Sequence, residues 1–408
     1  MATASIAKRS MVPHALVLML GAAVFLNYVD RGAIGIAAPR MKDELGLSNE
    51  AYGLAFSAFF WVYAPVQIFA GWLCDRFSVY RMMSLGILIW AVSTLLMGFA
   101  GGFLSLLALR VMLGIGESIS FPGSSKIIAR HVAPDRRGLA NAVVATGLAL
   151  GPALGTLAGG LILGTWGWRA IFLTFGLMTL LWLLPWRQTV RALPTTGHHD
   201  GGAKVPIGKL LGKWPLWSMS IVHSLGNWCF YFLLAWLPLF LTKSRGFSIG
   251  EMTLLATLGY AVQGACAMGY GYFSDWWTQS GRSEAVCRRW MMVASQLIAA
   301  GSIFGLAYAH DALTIGILLC LAGAATASLS LNLYAVAQMF AGPRASGTWV
   351  GFQNALGNLS GIVGPVVTGI IVHRAGYDSA FIFTAAVALA GAAWWAIAIP
   401  EIKQVELD

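Results

Sequence analysis

Apolar residues run through this chain in long blocks separated by short polar stretches. The blocks fall at approximately 13–38, 50–74, 82–100, 103–126, 138–165, 168–186, 215–242, 250–274, 289–309, 311–340, 345–373 and 377–400. Crossing the hydrocarbon of a bilayer takes an α-helix of about 20 apolar residues. The pattern therefore predicts twelve transmembrane helices, several long enough to tilt or to protrude.

Composition agrees. Of 408 residues, 58% are apolar and only 10% charged, against roughly a quarter charged in soluble domains. The chain reads as an all-α membrane protein, and its 17 Trp and 48 Gly suit interface anchors and close helix contacts. The net charge of +10 reports topology, with no nucleic-acid partner implied. With both termini in the cytoplasm, eighteen Lys and Arg fall on the inner side and six on the outer, leaving Arg31 and Arg110 within the membrane. The expected location is the cell (inner) membrane, multi-pass. Lys8, Arg9 and the apolar run after them look like a secretion signal, but the run continues past Asp30 to Pro39 and reads as an uncleaved first helix. The five cysteines are scattered without metal-ligand spacing, and no metal or other cofactor is expected.

The longest polar segment divides the chain into an N-terminal six-helix half (1–186), a cytoplasmic linker (187–213, with Gly197, His198, His199 and Gly201) and a C-terminal six-helix half (214–408). The halves repeat each other. Gly71-Trp72-Leu73-Cys74-Asp75 matches Gly271-Tyr272-Phe273-Ser274-Asp275. Gly151-Pro152 with Gly155 matches Gly364-Pro365 with Gly369, and Gly167-Trp168-Arg169 matches Gly376-Tyr377-Asp378. Two parallel six-helix repeats resemble the organisation of major facilitator transporters, which implies a substrate held near the membrane midplane between the halves. The segment Gly71 to Arg81 is similar to the G-x-x-x-D-R-x-G-x-R-[RK] loop of that family, with Ser78 and Tyr80 as departures. An acid at a helix end can hold one conformation by pairing across the domain boundary, so Asp75 and Arg76, with Asp275 as the repeat, are gating candidates.

Other segments are more specific. Asn27-Tyr28-Val29-Asp30-Arg31 resembles the N-Y-x-D-R signature of the anion:cation symporter branch, which includes galactonate and hexuronate transporters, sialin and vesicular glutamate transporters. The stretch Ser57 to Tyr63, the run Arg110 to Glu117 followed by Phe121-Pro122, and Trp236-Leu237-Pro238 are similar to that branch as well. Nothing resembles an ATP-binding loop, a catalytic Ser-His-Asp set or a zinc site, so transport is expected to be driven by an ion gradient or to be passive, and no enzyme is expected.

The charges argue independently. A charge at membrane depth is costly and marks a partner or a task. Arg110 and Glu117 stand seven residues apart, on one helical face. Arg stays protonated and its planar fork matches a carboxylate. Arg31 is thus the expected clamp for an anionic substrate, facing a water-accessible chamber and neutralised by cargo; the resemblance implies the same role. Asp30 and Glu117 are the expected proton carriers, with Arg110 as the switch partner of Glu117. Two protons per monovalent anion would bring in one net charge, driven by ~2.3 kcal/mol per 100 mV.

Selectivity is expected from amides and hydroxyls of the C-terminal half. Asn227 and Tyr231, with His223, share one face of the seventh span. Ser330 and Asn332 lie in the tenth and Asn354 in the eleventh, where the resemblance implies an asparagine on sugar hydroxyls. Tyr28 and Tyr63 are the candidates in the N-terminal half. His223 could titrate or could simply bridge helices. The reading is a monomeric symporter taking in a small organic anion with protons across a lipid bilayer, a sugar acid first. Another carboxylate (aromatic or dicarboxylic), or export of amphiphilic compounds against protons, stays open.

Overall fold

The structure is a computed structural model and describes residues 2–131, 137–191 and 207–406. Among these residues there is no β-strand. The helices are α1 (Ala2–Leu45), α2 (Asn49–Arg76), α3 (Val79–Met97), α4 (Phe103–Glu117), α5 (Ser120–His131), α6 (Arg137–Trp166) and α7 (Trp168–Arg191). After the short α8 (Ile207–Leu211) come α9 (Trp214–Leu239), α10 (Ile249–Gln279), α11 (Glu284–Tyr308), α12 (Ala312–Gly357) and α13 (Leu359–Ala393). Ten described stretches are long and apolar enough to span a membrane, and the helices sort into twelve spans in two halves.

Three departures from the apolar blocks have local causes. The fourth span is divided into α4 and α5 because Pro122 has no N–H and its ring excludes the carbonyl four residues back, at Ser118. The tenth and eleventh blocks run together in α12, and the backbone breaks at Asn358 instead. There Asn358 Nδ2 donates to Asn354 O at 2.8 Å, the carbonyl that also takes the Asn358 N–H, and the Gly361 N–H turns back to Asn358 O. The eleventh and twelfth spans, merged in α13, part at Gly376, whose φ of 82° lies in the left-handed region that favours glycine.

The chain forms two compact units, Met1–Leu47 with Trp61–Asp200, and Ser48–Phe60 with Gly201–Asp408. The first turns of α2 thus group with the C-terminal residues. Gly53 has no room for a side chain there, since a Cβ would lie 2.4 Å from Pro365 O, and the Tyr52 hydroxyl donates to Ala235 O at 2.8 Å.

In the first unit α1 lies along α6 and α7, while α3 packs on α4 and α7. Glycines set these distances. A Cβ on Gly147, Gly151 or Gly155 of α6 would come within 2.4 Å of Gly21 O, 2.6 Å of Tyr28 Cβ or 3.0 Å of Val29 Cα on α1. Their four-residue spacing puts them on one face. Gly116 of α4 is similarly bare, since a Cβ there would lie 2.6 Å from Trp90 N on α3. In the second unit α9 packs on α12 and α13, and α11 packs on the same two helices. The first-with-fifth-and-sixth and third-with-sixth arrangement recurs.

One ion-pair station also recurs, with its charges exchanged. In the first unit Arg169, two residues past the left-handed Gly167, pairs with Glu44 at the end of α1 and donates to Ala100 O; Trp168 lies under its guanidinium. In the second, Asp378, two residues past Gly376, pairs at 2.9 Å with Arg245, which follows α9. Arg245 donates to Ala307 O and Ala309 O and lies 4.6 Å from the Phe240 ring centre.

Candidate functional site

The ionisable residues of α1 and α4 meet inside the first unit. The Arg31 Nη2 donates to Glu117 Oε2 at 2.9 Å and to Asn27 Oδ1 at 3.1 Å. Arg31 is 2% exposed and Glu117 fully buried. The guanidinium lies 4.8 Å from the ring centres of both Tyr28 and Tyr63, a flanking pair that suits a planar cation. Tyr28 sits three residues before Arg31 on α1, so the two share a face. Tyr63 comes from α2, and its hydroxyl accepts from Gln67 Nε2 at 3.2 Å.

Glu117 thus takes its salt bridge from Arg31 of α1, beside the Arg110 expected as its switch partner. Arg110 is buried on α4 within electrostatic reach of Glu117, and the Glu117 carboxylate accepts from Arg31. The close approach of α1 to its neighbours decides this, and a one-dimensional spacing along α4 could not. It also means that Arg31, expected to be neutralised by cargo, is neutralised here by protein.

Asp30 points elsewhere. Consecutive residues of a helix face about 100° apart, and its Oδ2 accepts from Trp90 Nε1 of α3 at 2.5 Å and from Thr179 Oγ1 of α7 at 3.0 Å. Asp30 and Glu117 are thus two buried acids on separate partners. Trp90 and Thr179 carried no motif. Each is one of several weakly polar side chains in its span, among them Ser93 and Thr94 of α3 and Thr174 of α7, and nothing singles it out.

The C-terminal candidates gather at the break between α12 and α13. Asn227 Nδ2 donates to Gly357 O at 3.2 Å, and the Tyr231 hydroxyl donates to Asn358 Oδ1 at 2.6 Å. Asn354 Oδ1 accepts from the Tyr334 hydroxyl at 3.1 Å. Asn332 stands apart: its amide donates to Ser328 and accepts from Arg288 Nη1, which ties it to the Arg288–Glu284 pair of α11. The side chains of Ser330, Asp75, Arg76 and Asp275 lie outside the described residues, as do His198 and His199.

A family model of the Major Facilitator Superfamily matches residues 20–282 and 280–406. The chain belongs to the major facilitator superfamily. Several similar relatives are named as transporters of anions. A probable sulfoacetate transporter of Cupriavidus necator is 30% identical over 390 residues, covering 90% of this chain and 89% of the relative. A probable galactarate/D-glucarate transporter of Bacillus subtilis is 28% identical, covering 98% and 94%, and a hexuronate transporter of the same organism is 26% identical, covering 91% of each. Among solved structures, a bacterial homologue of the human lysosomal transporter Spinster, crystallised inward-facing and unoccupied, shares the fold with a TM-score of 0.81 at 22% identity, over 97% of this chain and 98% of that one. The protein is a multi-pass membrane transporter of this superfamily and not an enzyme.

Proposed function

We propose that this protein is a proton-coupled symporter that imports an organic anion, a sugar acid such as an aldonate or hexuronate. The observation that carries the reading is the buried Arg31–Glu117 pair. Removing one partner of a buried ion pair costs about 3–5 kcal/mol because a charge is left uncompensated. Arg31 therefore exchanges Glu117 only for another anion. A proton on Glu117 removes its negative charge and releases the guanidinium, whose two-pronged face takes a carboxylate from cargo. Proton and anion thus enter together. When the cargo leaves, Glu117 returns to Arg31 and gives up its proton.

The remaining residues fit that scheme. Arg110 favours the ionised Glu117 in one conformation and releases it to take up its proton in the other, and Tyr28 and Tyr63 line the guanidinium. Asp30, held by Trp90 and Thr179, is the second proton carrier. The amides and hydroxyls around Asn354 supply the donors and acceptors a polyol needs. The names of the galactarate/D-glucarate and hexuronate relatives support a sugar acid, and the sulfoacetate relative makes a small sulfonate the first comparison cargo. The expected setting is an inner membrane with cytoplasmic termini, and the expected unit a monomer.

Uptake into proteoliposomes tests this. Labelled hexonates, hexuronates, glucarate and sulfoacetate are offered with and without an inward proton gradient. A sugar acid should accumulate only with the gradient, and a protonophore should abolish accumulation. Uptake of none of the acids, together with export of a cationic dye, would overturn the reading.

A further inference from the structure

Four guanidiniums lie on aromatic rings among the described residues, and three of them also hold a carboxylate. Arg31 pairs with Glu117, Arg169 with Glu44 and Arg245 with Asp378. Arg282 does not pair with any carboxylate among the described residues. It is exposed in the turn that joins α10 to α11, 4.6 Å from the Trp277 ring centre and 5.8 Å from that of Trp276. Glu284, two residues on, is taken by Arg288 at 2.7 Å.

The turn holds the cation in place. Gly281, with a φ of 78°, reverses the chain between the two helices. Trp277 Nε1 donates to Ser283 O at 3.2 Å, which fixes the indole beneath the guanidinium. Phe273 packs on both indoles, with ring centres 5.9 Å from Trp276 and 6.0 Å from Trp277. Phe273 and Trp276 are both exposed. These rings stand at the end of the span Ile249–Gln279, the level at which tryptophan meets lipid headgroups. An arginine reaching only for water has no need of two rings beneath it. A guanidinium on an indole face keeps its charge, and its planar fork matches a phosphate in two hydrogen bonds.

We propose that the α10–α11 turn is a binding site for an anionic phospholipid. Arg282 takes the headgroup phosphate, and Phe273 and Trp276 lie along the upper part of the acyl chains. The lipid supplies here the anion that Glu117, Glu44 and Asp378 supply to the other three guanidiniums. It thereby ties the turn between two spans to the membrane surface.

Lipid retention by the purified protein tests this. Phosphatidylglycerol or phosphatidylcholine is added to the protein in detergent; native mass spectrometry counts the lipid kept, and thermal midpoints report stabilisation. Phosphatidylglycerol should be retained and should raise the midpoint more than phosphatidylcholine does. Arg282→Gln should lose that difference, and Trp277→Leu, which keeps the cation and removes its ring, should lose part of it. Arg187→Gln removes an exposed cation at the end of α7 and should keep the difference in full. An unchanged preference in Arg282→Gln or in Trp277→Leu, or an equal loss in Arg187→Gln, would show diffuse attraction only and overturn the proposal. Equal stabilisation of the unmodified protein by inorganic phosphate would overturn it too, because the site would then serve the free anion.

Discussion

The proposed mechanism sets the carboxylate of the cargo against that of Glu117 at the Arg31 guanidinium, and that competition sets the expectations for single substitutions. Arg31→Ala should abolish binding of the anion, read as loss of cargo-induced thermal stabilisation of the purified protein. Glu117→Gln mimics the protonated acid. It should keep exchange of internal for external cargo yet fail to accumulate cargo under a proton gradient. Retained affinity in the first, or retained accumulation in the second, would remove the mechanism. Asp30 gives a stability test. Trp90→Phe deletes the indole donor to a buried carboxylate, which should cost about 1–3 kcal/mol and lower the thermal midpoint. Asp30, Arg31, Arg110 and Glu117 stood out in the sequence because charges interrupt apolar blocks, and all four are buried. Their pairing was not. Seven-residue spacing puts Arg110 and Glu117 on one face of α4, but only the approach of α1 brings Arg31 to that face. Trp90 was silent because a tryptophan in a span also reads as an interface anchor.

Among the elements, the glycine face of α6 is what lets α1 bring Tyr28 and Arg31 into place. Gly151→Leu would push a side chain into Tyr28 Cβ and Phe25 O, and overpacking of this kind costs about 1–3 kcal/mol or more. It should lower both the yield of folded protein and the affinity for cargo. Gly164→Leu, at an exposed position of the same helix where an added Cβ meets nothing within 4 Å, should leave both unchanged, as Gly164→Ala should, and serves as the control. If Gly151→Leu behaved like Gly164→Leu, the close packing of α1 on α6 would be wrong. The helices themselves were legible, since block length and apolarity suffice for a span. Their interruptions were read less well. Pro122 reads in the sequence as part of the Phe121-Pro122 motif and does not stand out as a breaker, and at Asn358 a side chain competing for its own helix's carbonyl leaves no trace in hydropathy. The polar stripe on α9 was visible as a face, but its target was not.

At the scale of the whole molecule, the duplication seen in the paired Gly-Trp-Arg and Gly-Tyr-Asp segments leaves each unit with the same station in opposite charge order. Glu44 on α1 meets Arg169, and Arg245 after α9 meets Asp378. A duplicated chain carries a hazard during insertion, because the opening helix of one repeat can settle into the seat made for its counterpart. The reversed order guards against that. Such an exchange would set Glu44 against Asp378 and Arg169 against Arg245, acid on acid and guanidinium on guanidinium, so each repeat repels the other's helix while accepting its own. Reversing one station alone (Arg245→Asp with Asp378→Arg) keeps both native attractions but makes the exchanged ones attractive too, and should raise the misassembled, protease-sensitive fraction. Reversing both stations together should bring that fraction back down.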